Sequence, residues 1–220
     1  MNKSLFSKKI KKIDPWFAEN SFYLKASPER LSKFIAHYET FKKIKNIKGD
    51  VVECGVFRGA SLTRFVNFDK IFKSKKKFFA FDAFGKFPKS GSKNDKSFSK
   101  VHDKKIGYGI EKKDLNYFLK RNKANNFELI KGDVFDTLEI YSKSKRKISL
   151  LHLDLDVYQA SKFVLEKLYP LIVKKGVILI DDYNHISNTT KAIREFLKKK
   201  QNLKIEKFKF PCRPSFIIKY

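Results

Sequence analysis

Two apolar stretches of the chain, Leu151-His152-Leu153-Asp154-Leu155-Asp156 and Leu179-Ile180-Asp181-Asp182-Tyr183, both finish in paired acids. If each stretch is a strand of one parallel sheet, Asp154, Asp156, Asp181 and Asp182 converge at neighbouring strand ends. Like charges held that close cost free energy unless a cation offsets them. Carboxylate oxygens are hard donors and suit Mg²⁺, Ca²⁺ or Mn²⁺. The two cysteines, Cys54 and Cys212, are far apart in sequence and form no zinc-type set with histidine. Helix capping is the plainer reading of such acids, and it accounts for one pair more readily than for two.

An earlier run ends in Glu53-Cys54-Gly55-Val56-Phe57-Arg58-Gly59. Glycines at a strand-to-helix turn let the backbone bend tightly and approach a ligand. The leading acid separates this pattern from the dinucleotide fingerprint G-x-G-x-x-G. It disfavours a pyrophosphate and favours the sulfonium and α-amino group of S-adenosylmethionine. Glu53, Gly55, Gly59 and Ser61 are therefore candidate cofactor-binding residues. Asp82, in Phe81-Asp82-Ala83-Phe84, is placed to accept hydrogen bonds from ribose hydroxyls at the tip of the next strand. Asp133, in Lys131-Gly132-Asp133, either faces an adenine edge or caps the following helix, and both roles are compatible.

These residues need a scaffold that brings strand ends together. Strand-like runs at Val51–Cys54, Phe78–Phe81, Phe127–Ile130, Ile148–Leu153 and Val177–Ile180 alternate with helical patterns. The helical patterns fall at Ser61–Ile71, Lys113–Arg121, Phe135–Tyr141, Tyr158–Val173 and Thr189–Lys200. Several of the strands are continuously apolar, as in a parallel sheet buried on both faces. The order predicts a doubly wound, Rossmann-like α/β domain. The runs Ile205–Phe210 and Phe216–Ile218 predict a hairpin at its edge. Ser27-Pro28 predicts the start of a helix whose buried face carries Leu31, Phe34, Ile35, Tyr38 and Phe41. Residues 1–26 read as a basic arm with Leu5, Phe6, Ile10 and Ile13 on one side, leaving 27–220 as a single domain. The segment Phe84 to Gly109 has no clear period and reads as a loop, either a substrate-side lid or a solvated insertion.

Composition narrows the class. The 220 residues are 42% hydrophobic and 15% aromatic, enough for one globular core. No run spans a bilayer, and the N-terminus lacks the apolar core of a secretory signal, which predicts a cytoplasmic protein without stable membrane insertion. The formal charge of +27 is mostly lysine spread along the whole chain, while arginine is scarce and phenylalanine abundant. That pattern fits compositional bias better than a designed polyanion surface. A small-molecule partner is expected and nucleic acid is not; a homo-oligomer stays open.

Together, Gly49-Asp50-Val51-Val52-Glu53-Cys54-Gly55-Val56-Phe57-Arg58-Gly59, Phe81-Asp82-Ala83-Phe84, Leu151 to Tyr158 and Asp181-Asp182-Tyr183 resemble the macrocin O-methyltransferase (TylF) family. The resemblance runs from about Gly49 to Phe196. It implies a class I methyltransferase sheet and Mg²⁺-dependent methylation of a sugar hydroxyl by S-adenosylmethionine. By position, Asp154, Asp181 and Asp182 resemble the metal ligands and Asp156 the general base. The chain departs from the family at Asn184-His185-Ile186-Ser187-Asn188, where a glycine-containing turn is usual, and across Pro88 to Gly109. Lys191 and Arg194 are candidates for a substrate phosphate, although a solvated helix face explains them more simply. Two alternatives stand beside this reading. One is a nucleic-acid methyltransferase, although the Asp/Asn-Pro-Pro-aromatic motif common among base-amine enzymes is replaced by Asp154-Leu155-Asp156-Val157-Tyr158. The other is a non-catalytic scaffold held at a membrane by the basic arm.

Overall fold

The computed structural model of the chain describes residues 3–88, 90–200 and 202–220, with side chains of the first helix from Lys8 onward. Two short helices, α1 (Lys3–Lys12) and α2 (Pro15–Lys25), form the N-terminal arm. Ile10 and Ile13 are half exposed, and Trp16, Phe17, Tyr23 and Leu24 of α2 are exposed. The side chains of Leu5 and Phe6 lie outside the described residues. Helix α3 (Pro28–Ile44) begins as the sequence predicts: Pro28 opens it, and the Ser27 hydroxyl accepts from the Arg30 amide.

The sheet has seven strands: β1 (Asp50–Cys54), β2 (Phe78–Asp82), β3 (Phe127–Lys131), β4 (Ile148–Leu153), β5 (Ile172–Ile180), β6 (Glu206–Lys207) and β7 (Ser215–Ile218). Their order is β3-β2-β1-β4-β5-β7-β6. The first five run parallel, and the β5–β7 and β7–β6 pairs are antiparallel. This is the Rossmann-like sheet with its C-terminal hairpin. Helices α4 (Ala60–Phe72) and α6 (Lys112–Arg121) join α3 on one face. Helices α7 (Val134–Lys143), α8 (Tyr158–Leu168) and α9 (Ser187–Lys198) cover the other.

Side-chain alternation along the strands assigns the two faces. Val51, Leu150 and Leu179 pack toward α3 and α4. Val52, Cys54, Leu151, Leu153, Ile178 and Ile180 pack toward α7, α8 and α9. Phenylalanine fills much of this core: Phe41, Phe65, Phe78 and Phe81 are fully buried. Each such ring contributes about 1.5–3 kcal/mol by leaving water.

Three elements differ from the expectation. The helix predicted over Tyr158–Val173 ends at Leu168, passes through a 3₁₀ turn at Tyr169–Leu171, and gives way to β5 at Ile172. Pro170 removes a helical donor there and disfavours helix for Tyr169. The buried face of α3 is Ala36, His37, Thr40, Phe41 and Ile44, while Phe34 and Ile35 are exposed. Two polar residues thus sit where the apolar pattern was sought. The segment Phe84 to Gly109 is not all loop: it contains helix α5 (Lys93–Lys105).

A reciprocal cap starts α5. The Asp95 amide donates to the Ser92 hydroxyl at 3.1 Å, and the Ser92 amide donates to Asp95 Oδ2 at 3.4 Å. Asp95 is buried because it also accepts from the amides of Tyr158 (2.9 Å) and Gln159 (3.2 Å), which open α8. One carboxylate therefore caps two helices and fastens α5 to the domain. Asp95→Ala is expected to lower stability by about 1–2 kcal/mol per lost cap and to speed proteolysis within residues 86–109. Urea denaturation and timed trypsin digestion read the two effects, and an unchanged digestion rate would show that α5 is held elsewhere.

Candidate active site

The C-terminal ends of β1, β2, β4 and β5 surround a cavity of about 360 Å³. It lies where the chain's winding reverses between β1 and β4, the position at which open α/β sheets bind ligands. Gly55, Asp82, Asp133, Asp154, Asp156 and Asp182 line it. Helix α5 forms part of its roof, where His102 meets Phe87 and Phe57 edge to face at 5.0 and 5.6 Å between ring centroids.

The β1 turn is built by close approach. Gly55 has φ of +91°, and a Cβ there would lie 1.8 Å from the Asp154 carbonyl oxygen. Only glycine lets the turn pass against the end of β4. Asp82 holds the same turn from the other side, accepting from the amides of Val56 (2.7 Å), Phe57 (3.0 Å) and Phe84 (2.5 Å). Burial pushes the Asp82 carboxyl up in pKa, and these three donors work against that shift. Asp133 caps α7 by accepting from the Phe135 amide at 3.1 Å, and it also accepts from the Ser90 hydroxyl.

Glu53 and Ser61 do not face the cavity. Parallel register sets Glu53 beside His152, and both point to the α3–α4 face by strand alternation. Asp181, one residue beyond β5, shares the parity of Leu179 and reaches the same face. Fully buried Glu53 accepts from the Ser61 hydroxyl and lies 3.1 Å from His152 Nδ1. His152 Nε2 lies 3.5 Å from Asp181 Oδ1. Helix α3 supplies Lys33, ion-paired to Asp181 Oδ2, and His37, whose Nε2 is 3.7 Å from Asp181 Oδ1. Gly59 caps α4 with φ of +81° and packs against Leu115, away from the cavity lining.

These contacts set the protonation states. Burial opposes ionisation of Asp181, but His152, His37 and Lys33 hold its carboxyl well below the usual range. Burial lowers His152, yet Asp181 and Glu53 outweigh it and push the imidazole up to about 10. Burial pushes His37 down to about 3, so it is neutral. On the cavity side Lys33 and Arg213 offset less of the cost of burying the acids. Burial, then the neighbouring Asp182 and Asp181, raise Asp156 to about 7. Burial and Asp181 likewise raise Asp154 and Asp182. Arg213 gives Asp182 partial relief from 3.5 Å while pairing with Glu29. Asp156 holds its place with φ of +62°, an uncommon backbone state for a non-glycine residue.

The four carboxylates found at the strand ends therefore divide in two. Carboxylate oxygens of Asp154, Asp156 and Asp182 lie within 4.8 Å of one another at the cavity, while Asp181 turns mainly toward the histidines. Lys33, His37 and Arg213 are neighbours of the strand-end acids that the motifs did not mark. Lys33 and His37 are one helical turn apart, and that spacing beside an apolar stripe is the signal that was available. Lys191 stacks on Tyr158 at 4.8 Å and Arg194 donates to Asn184 at 3.3 Å; neither lines the cavity.

A Rossmann-like sheet with its cavity at the reversal point and acids at the ends of β2, β4 and β5 is an arrangement that methyltransferases share. The model of the macrocin O-methyltransferase (TylF) family matches residues 23–209, and the chain belongs to that family. Among solved structures it is similar to the O-methyltransferase NovP, with TM-score 0.72 and 18% identity over 87% of this chain and 79% of that one. It is also similar to CalS11, calicheamicin methyltransferase, with TM-score 0.71 and 18% identity over 98% and 91% of the two chains. A ribosomal RNA methylase from Streptococcus thermophilus is more distant, with TM-score 0.52 and 14% identity over 83% and 92%. At these identities the likeness is one of fold. No curated protein matches the chain. No helix among the described residues is long and apolar enough to cross a membrane.

The Gly55 contact makes a direct test of the turn. Gly55→Ala adds a Cβ that meets backbone, not a flexible side chain. The expected loss of stability is on the order of 3 kcal/mol from strain and overpacking. An unchanged urea midpoint would show that the turn relaxes without cost.

Proposed function

We propose that this protein transfers a methyl group from S-adenosylmethionine to a hydroxyl of a sugar or of a glycosylated or nucleotide-linked small molecule. The observation that carries the reading is the convergence of Asp154, Asp156 and Asp182 on one cavity in a chain of the macrocin O-methyltransferase family. Gly55, Asp82 and Asp133 line the β1–β2–β3 side of that cavity and would hold the cofactor. Glu53, Gly59 and Ser61 lie outside the lining and act on the cofactor through the turn they support. Bound S-adenosylmethionine supplies an electrophilic methyl group.

The donor set also fits a hard divalent cation. Crowded carboxylates with raised pKa values are stabilised by such an ion, and all three offer oxygen. Asp154 and Asp182, with Asp181, which also lines the cavity, would hold Mg²⁺ or a similar ion. When bound, it lowers the pKa of an acceptor hydroxyl. Asp156 is left to take the proton, and at about 7 its own affinity suits that exchange. Lys33 keeps Asp181 ionised, and α5 roofs the site against water.

The acceptor side is cationic. Arg30, Lys86 and Arg213 line the cavity along with Lys33, which suits an acceptor bearing phosphate. CalS11 is described as a TDP-rhamnose 3'-O-methyltransferase, and its fold likeness makes nucleotide-linked sugars the first acceptors to try. An RNA acceptor is less well served, because the clustered acids of the site would repel a phosphate backbone.

Two measurements test this reading. Calorimetry is expected to detect S-adenosylhomocysteine binding, weakened by about 1–3 kcal/mol in Asp82→Ala; equal affinity would remove Asp82 from the cofactor site. With a nucleotide-sugar acceptor, Asp156→Asn is expected to keep cofactor affinity and lower turnover by about 10²-fold or more. Full activity in EDTA would overturn the metal assignment, and faster methylation of RNA than of sugars would overturn the acceptor class.

A further inference from the structure

Behind the cavity lie three polar side chains that the proposed transfer does not use at their inner atoms. His37 and His152 are fully buried and Asp181 is 1% exposed. Both ring nitrogens of His37, Nε2 of His152 and Oδ1 of Asp181 have no hydrogen-bond partner. Burying a polar atom without a partner costs about 1–3 kcal/mol, and here several such atoms are aimed at one another.

Their spacing is informative. The two Nε2···Oδ1 separations are 3.5 and 3.7 Å, and all three donor atoms lie within 4.8 Å of one another. That is too long for hydrogen bonds. Two donors about 2.1 Å from one ion at tetrahedral angles are roughly 3.4 Å apart. The outer contacts are those of a ligand set as well. His152 Nδ1 lies 3.1 Å from Glu53 Oε1, which directs its other nitrogen inward. His37 stacks on Phe65 at 5.0 Å between centroids, which fixes the ring plane.

We propose that His37, His152 and Oδ1 of Asp181 form a buried transition-metal site of the Zn²⁺ type, distinct from the cavity trio Asp154, Asp156 and Asp182. Two imidazoles and one carboxylate favour Zn²⁺, Fe²⁺ or Co²⁺ over Mg²⁺, which takes oxygen donors. The site clamps α3 to the ends of β4 and β5 and stands whether or not the methyl-transfer reading holds. Asp181 also lines the cavity, which gives the ion a route in and a water for its remaining position. The competing arrangement is a proton on His152 shared between Glu53 and Asp181, with no metal at all.

The full chain, stripped with chelator and ¹⁵N-labelled, distinguishes them. It carries four histidines, His37, His102, His152 and His185, so two serve as internal controls. One equivalent of Zn²⁺ is added in the presence of excess Mg²⁺, and the imidazole nitrogens are followed by NMR. The proposal expects the His37 and His152 resonances to shift while those of His102 and His185 stay. It also expects His37→Gln to weaken Zn²⁺ binding about 100-fold or more and Asp156→Asn to change it by less than about 3-fold, because only the first removes a ligand. No imidazole shift, shifts confined to His102 or His185, or displacement of Zn²⁺ by Mg²⁺ would each overturn it. The wild-type spectra decide the matter even if His37→Gln fails to fold.

Discussion

A buried line of acid, imidazole and acid, from Glu53 through His152 to Asp181, ties the ends of the three central strands into one unit. Inside a protein the attraction between such groups is strong, and so is the cost of leaving one alone. The line works only in one register. Slipping β4 by one residue would send His152 to the α8 side and leave buried Glu53 with the Ser61 hydroxyl alone. Burial of these three residues thus specifies which strand ends meet, and the cavity acids inherit their positions from it. Lys33 extends the line to α3, so the first domain helix is fixed electrostatically as well as by its phenylalanines.

The two sides of the cavity are then coupled through backbone. Gly55 passes so close to the Asp154 carbonyl that the β1 turn and the carboxylate side cannot shift independently. Asp82 adds to this by holding the turn's amides from β2. Orientation of a methyl donor against an acceptor is worth much of a transfer reaction's acceleration. Under the proposed function, a scaffold in which both sides share one tight contact would supply that orientation before either ligand arrives.

Much of this was legible in the sequence. Continuous apolar runs marked the parallel strands, the glycine motif marked the first turn, and the paired acids marked the ends of β4 and β5. The direction of Glu53 was not legible from the motif, because a strand-end acid was read as facing a ligand. Strand parity with His152 carries that information, and it needs the register between β1 and β4. Helix α5 was hidden because lysine and serine mask its period, although Ser92 and Asp95 hold the spacing of a reciprocal cap. The inward face of α3 was misread for a related reason: His37 and Thr40 are buried, and apolar patterning does not look for them. Pro170 in Tyr169-Pro170 was a visible stop signal inside the predicted α8.

The fastening of α5 has a consequence for how this chain can diversify. The roof of the cavity meets the first turn of α8 through one carboxylate, and the strands beneath it owe their register to other residues. Residues 86–109 can therefore lengthen, shorten or change composition while Asp95 keeps its grip and the sheet stays intact. On the proposed function, acceptor preference and catalytic machinery would in this sense be inherited separately. A lineage exploring new substrates would accumulate its changes in the roof, leaving the strand ends alone.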